Sequence, residues 1–151
     1  MRRTIFILLI ISLCVGSICS CEREVDPRQM LSDFISAYGA EGVIYSPDAN
    51  EGEDGYIPKE LAERIYIHSG ELPDDFAIFL NSRPDYGYEC AVFLCEDAES
   101  LLMMEEACIE RTRLLDGGGE RRLIIVSGKT IFYSTMKDKE RAEKIWREII
   151  R

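Results

Sequence analysis

The residues able to do chemistry in this chain are few and scattered. His68 is the single histidine, with Ser69 beside it. A catalytic triad needs a nucleophile, a base and an orienting acid brought together in space. The sequence holds no G-x-S-x-G elbow and no C-x-x-C spacing, so hydrolase and redox motifs are missing. Cys90, Cys95 and Cys108 could reach zinc only by converging with His68. In a strand, however, Cys90 and Cys95 point to opposite faces, five residues being an odd step. Asp48-Ala-Asn-Glu-Gly-Glu-Asp-Gly55 alternates carboxylates in the manner of a calcium loop. Counted from Asp48, an EF-hand needs glycine at the sixth place and glutamate at the twelfth, where Glu53 and Lys59 stand. It reads as a solvated acidic loop, and no metal or cofactor is assigned. Arg83-Pro-Asp-Tyr-Gly-Tyr-Glu89 is different, since arginine and tyrosine are the side chains that dominate binding hot spots. Arg83, Asp85, Tyr86 and Tyr88 form the candidate binding loop.

One further cysteine has a context of its own. Met1-Arg-Arg3 precedes an apolar run from Ile5 to Ile18, and Ile18-Cys19-Ser20-Cys21 follows. The run would make a helix of only about 21 Å, short against a bilayer core of roughly 30 Å. That is the layout of an export signal, residues 1–20, ending in a segment that resembles a lipobox. Cys21 follows the small Ser20, whereas Cys14 and Cys19 follow the larger Leu13 and Ile18, so Cys21 is the expected lipidation site. An ordinary secretory signal cut near Ser20, leaving Cys21 unmodified, is the alternative. Two acyl chains, palmitate or its equivalents, would hold the chain stably where one is marginal. Residues 21–25 are then a short tether reaching at most about 18 Å. The expected location is the extracytoplasmic face of the cell membrane, with membrane-proximal protein partners.

Charge narrows the classes further. The chain carries 18 basic and 28 acidic residues, a net charge of −10, and losing Arg2 and Arg3 with the signal deepens it to −12. Such a surface repels nucleic acid and anionic headgroups, which excludes a nucleic-acid partner.

Residues 26–151 have the length and composition of one globular domain. Asp26-Pro27 starts a helix whose apolar face is Met30, Leu31, Phe34, Ile35 and Tyr38, stopped at Gly39. A short extended piece, residues 42–45, precedes the acidic loop, and Pro58 opens a second helix with Leu61, Ala62, Ile65 and Tyr66 as its apolar side. From there the spacing predicts β-β-α-β-β-α. The strands are residues 76–80, 90–95, 122–126 and 130–134, the last two joined as a hairpin through Ser127-Gly128-Lys129. Asp97 caps the intervening helix. Thr135 with Asp138 resembles a capping box before the last helix. The fold class is therefore α+β, a four-stranded, mainly antiparallel sheet with two additional N-terminal helices. All four strands are apolar on both faces, so the face opposite the late helices also needs cover. The two N-terminal helices are the expected cover, and a homodimer is the alternative.

Four segments together give a resemblance. These are Ile18–Cys21, Asp75-Phe-Ala-Ile-Phe-Leu80, the acid-and-arginine helix around Glu105–Arg113, and Gly128-Lys-Thr-Ile-Phe-Tyr133. They resemble a family of uncharacterised lipoproteins of Gram-positive bacteria, a domain of unknown function. The resemblance covers most of the chain after the signal and implies location and fold. It carries over no functional residue. The function expected from the sequence is a lipid-anchored binding or accessory module. The alternative is a surface hydrolase using His68 with nearby carboxylates.

Overall fold

Strands that are apolar at consecutive positions cannot leave one side of their sheet in water. The structure, a computed structural model, describes residues 25–67, 71–83, 89–116 and 120–151. Its elements run α1 (Pro27–Tyr38), β1 (Gly42–Tyr45), α2 (Lys59–Tyr66), β2 (Asp75–Asn81), β3 (Glu89–Leu94), α3 (Ala98–Asp116), β4 (Leu123–Ser127), β5 (Thr130–Ser134) and α4 (Lys139–Ile149). The fold is α+β. All strand pairs are antiparallel, in the order β1-β2-β3-β5-β4.

Two expectations about the sheet and its cover need correction. The sheet has five strands, because residues 42–45 pair with β2 from Gly42↔Asn81 to Tyr45↔Ile78. Four residues are too few for a period-2 pattern to declare itself, and only the tertiary partner makes this piece a strand. Gly42 permits the pairing: a Cβ there would lie 2.1 Å from the Leu80 carbonyl oxygen. The helices are also not divided into an early pair and a late pair. α1 and α4 cover one face, while α2 and α3 cover the other. Topology explains this. β3 and β4 run parallel with β5 between them, so α3 crosses over β5 on one face. α4, leaving β5, packs on the other, beside α1. Both faces are thereby closed by the chain's own helices, and cover requires no second copy.

Local signals set most boundaries. Asp26 Oδ1 accepts from the Gln29 N–H at 3.0 Å, and Gly39, at φ 74°, donates its N–H to Ile35 O. Asp97 Oδ1 accepts from the Ser100 N–H at 2.8 Å, while Ser100 Oγ accepts from the Asp97 N–H in return. In the two-residue hairpin, Gly128 has φ 59° and Lys129 does not share the sign, the signature of a type II′ turn. The last helix is capped differently from the reading above. Asp138 Oδ1 accepts from Arg141 N–H, and the Thr135 hydroxyl donates instead to the Glu89 carbonyl oxygen. Thr135 is buried against a strand, so its hydroxyl is used across the sheet end and not along its own helix.

The two cores differ in character. Between the sheet and α1–α4, Trp146 stacks on Phe132 at 4.1 Å and Phe34 closes on Phe132 at 4.7 Å. On the α2–α3 side, Tyr66, Phe76 and Phe93 pack with Met104, Cys95 and Cys108. Cys90 lies on the opposite side from Cys95 and Cys108, as the odd step requires, and all three are free, buried thiols. Burial pushes Cys90 up to about 12 and Cys95 up to about 11. For Cys90 the folded chain holds its proton more tightly than the unfolded chain. Its contribution is thus complete below the ordinary thiol value of 9.0 and is lost as pH rises towards 12. We expect a loss of stability over that window, about 1.4 kcal/mol per pH unit for this one thiol. Urea titrations between pH 8 and pH 11 should show a shallower decline in Cys90→Ala; parallel declines would remove Cys90 as a cause.

Candidate functional site

The sheet has two unlike ends, and the direction of α1 separates them. Val25 and Asp26, at its start, share a 510 Å³ cleft with Ser127, Thr130 and the last turn of α4. Asp74, Asp75 and Glu96 lie at this same end with Lys129. α1 then carries the chain about 18 Å to Tyr38 at the other end, where β2 runs out at Asn81. Twelve residues of helix thus separate the N-terminal approach from the start of the candidate binding loop.

That second end is held in place by backbone and amide groups. The Ser82 N–H and Oγ both donate to the Glu41 carbonyl oxygen, at 2.9 and 2.7 Å, and the Arg83 N–H donates to Asn81 Oδ1 at 2.9 Å. Arg83 consequently joins Lys137 and Arg141 around a groove of 290 Å³ with Tyr38 and Asn81 in its wall. The Arg141 guanidinium sits 4.9 Å from the centroid of the Tyr38 ring. The Asp138 N–H donates to the Tyr38 hydroxyl at 3.1 Å, and desolvation raises that phenol above its usual range. Glu41 and Asp138 also line the groove, but the Asp138 carboxylate is engaged as the cap of α4. Three cations beside an aromatic wall suit a carboxylate or other anionic group of a binding partner.

On the α2–α3 side of the same sheet end lies a buried ion pair. Glu89 is 1% exposed, at the first position of β3, on the face shared with Ala91 and Phe93. Arg111 grips it with two bonds, Nε to Oε1 at 2.9 Å and Nη2 to Oε2 at 2.8 Å. Tyr66 Oη donates to the same Oε1 at 3.0 Å, and Arg111 also lies 5.6 Å from the Tyr66 ring centroid. The side-chain bond to Glu89 raises the guanidinium's pKa, and burial raises the Tyr66 phenol well above its ordinary value. Tyr133, pushed up by burial and then by the Glu89 charge, has a hydroxyl without a hydrogen bond of ordinary geometry; the Thr112 hydroxyl acts on it the other way, itself donating to Cys108 O at 2.9 Å. This network links α2, β3 and α3. Glu89 spends its hydrogen-bonding capacity on Arg111 and Tyr66, so the cluster reads as a tie between layers.

The residues singled out from sequence fare unequally. Arg83 lines the groove, whereas Asp85, Tyr86, Tyr88, His68 and Cys21 lie outside the described residues. The acidic loop 48–55 is exposed except at the half-buried Ala49 and the buried Gly55, and no group of ligating side chains among the described residues could hold a metal ion. No described helix is long and apolar enough to cross a membrane. Lys137, Arg141 and Arg111 are not singled out by the sequence, Tyr38 enters only as part of an apolar helix face, and Glu89 only as the end of the loop segment. Glu89 had a signal: a carboxylate opening an otherwise apolar strand, in phase with Ala91 and Phe93, must find a partner if buried. Arg111 had one too, at the i+7 position from Met104 and in phase with Cys108. The groove had none, since its parts lie about a hundred residues apart.

No protein-family model, no curated protein and no solved structure matches the chain.

If Glu89 is a structural tie, removing it strands a partly buried guanidinium and a phenol. Glu89→Ala should then cost about 3 kcal/mol in urea unfolding. Arg111→Met placed on top should recover part of that, because it removes the orphaned charge. A single-variant cost below about 0.5 kcal/mol, the range of ordinary surface changes, would refute the tie.

Proposed function

We propose that the protein is a lipid-anchored, non-enzymatic binding or accessory module at the outer face of the cytoplasmic membrane. Acyl chains on Cys21 hold it there, and it meets its partner through the cationic groove around Arg83. The observation that carries the reading is the opposition of the two ends. The chain comes in at the end bearing Asp74, Asp75 and Glu96, whereas Arg83, Lys137 and Arg141 gather at the other. A tether of a few residues keeps the first end near the bilayer. The groove then stands about one α1 length further out, roughly 18 Å. Its partner is an acidic surface or segment of another protein displayed at that height. The charged and apolar layout of residues 1–20 and the lipobox-like Ile18–Cys21 segment support the same location.

The anchor and the groove are tested separately. Intact mass of the membrane-extracted protein should give a chain beginning at Cys21 with acyl mass added, and Cys21→Ala should leave the membrane fraction. An unmodified N-terminus elsewhere would overturn the anchor. For the groove, a photo-crosslinking residue in place of Lys137 should give a discrete product in intact membranes, and one in place of Lys129 should not. Arg83→Glu with Arg141→Glu should abolish that product without lowering the protein's level. Equal products from both positions would overturn the groove as the binding surface.

A further inference from the structure

β4 is an edge strand, and its outer side is open. Antiparallel pairing alternates, so successive residues send their N–H and C=O groups towards the neighbour or away from it. In a two-residue hairpin the closing pair, here Ser127↔Thr130, is hydrogen-bonded, and Ile125↔Phe132 and Leu123↔Ser134 follow in phase. Ile124 and Val126 therefore direct their backbone groups outward, where no described residue pairs with them. The opposite edge of the sheet is treated differently. The 46–57 loop folds back along β1, with the Ser46 N–H donating to Gly55 O, the Ile57 N–H donating to Ser46 O, and Gly55 packed against the Ile44 carbonyl. β4 carries no proline, no bulge and no inward charge, three of the usual guards of an exposed edge.

The open edge forms the floor of a 550 Å³ slot between α3 and α4. Ile109 and Glu105 form one wall, and Lys139, Glu143 and Arg147 the other. Glu143 is occupied by Arg147, at 2.9 and 2.7 Å. The charges left to meet a ligand are Arg122 and Lys139 near the start of the strand, with Glu105 on the far wall.

We propose that β4 is a strand-addition site for an extended segment of another protein. Such a segment carries acidic residues where it passes Arg122 and Lys139 and β-branched apolar residues opposite Ile124 and Val126. A peptide backbone matches a row of alternating donors and acceptors along its whole length, so the ligand we assign is polypeptide. Charge selects an acidic segment. A second copy suits the edge less well, because a symmetric β4–β4 pair runs antiparallel and sets the two N-terminal approaches at opposite ends of the joined sheet. This site is distinct from the groove around Arg83 and stands whether or not that groove binds.

The test uses the mature chain in detergent and a short synthetic peptide of alternating valine and threonine, with two aspartates at one end. Amide hydrogen exchange of the free protein should find Ile124 and Val126 fast and Ile125 slow, and the peptide should protect the first two. A peptide N-methylated at alternate residues should bind at least about tenfold more weakly, and so should one with lysines for the aspartates. Val126→Pro, which removes an outward N–H, should abolish binding while leaving the fluorescence of the single tryptophan, Trp146, unchanged. Should that variant misfold, the N-methylated peptide still decides. Equal binding of the N-methylated peptide would overturn the proposal. So would protection of Ile124 and Val126 in the free monomer, or a dimer by light scattering that protects the same amides.

Discussion

Phe76, Ile78, Ala91, Phe93 and Tyr133 face one side of the sheet, and Ala77, Phe79, Val92 and Phe132 face the other. With no polar side to offer water, the sheet needs a helix layer above and below. At roughly 25 cal/mol per Å² of apolar surface, one uncovered face would forfeit the burial of several large side chains. The rest of the architecture answers that demand. α3 is committed to one side by its crossover between parallel strands, α4 takes the side left free, and the two early helices complete each layer.

A three-layer arrangement has to be held in register at the sheet ends, where apolar contact thins out. At one end the bidentate Glu89–Arg111 pair, with Tyr66, joins both helices of one layer to β3. A buried ion pair of this sort adds little net stability over apolar packing of the same volume, but it tolerates few alternative placements of its partners. On the other layer Tyr38 bridges α1 to the start of α4 through its bond from the Asp138 N–H. The same end therefore has both layers fastened beneath the groove, and fastened elements favour binding, because less side-chain freedom is lost when a partner arrives.

Much of this was legible from residue order. The caps at Asp26, Gly39 and Asp97, the Gly128 turn and the two-sided apolar strands are local signals, and the structure uses each as read. What failed was non-local. β1 is four residues long and becomes a strand only beside β2. The partition of helices between faces depends on which strand sits between β3 and β4, which no local pattern encodes. Thr135 has the spacing of a capping residue, but burial beside Glu89 diverts its hydroxyl. The site was the least legible part. Arg83 could be named because it sits among tyrosines in a turn-rich segment, while Lys137 and Arg141 look like ordinary surface cations until α4 is docked beside α1.

The three thiols carry a last consequence. Each is buried, outside any disulfide, and raised in pKa by its burial. The native state contains no sulfur–sulfur bond among them, so acquiring it involves no oxidant, no isomerase and no shuffling of wrong pairings. For these three sulfurs maturation is then a matter of strand docking alone, with closure of the two cores itself burying them.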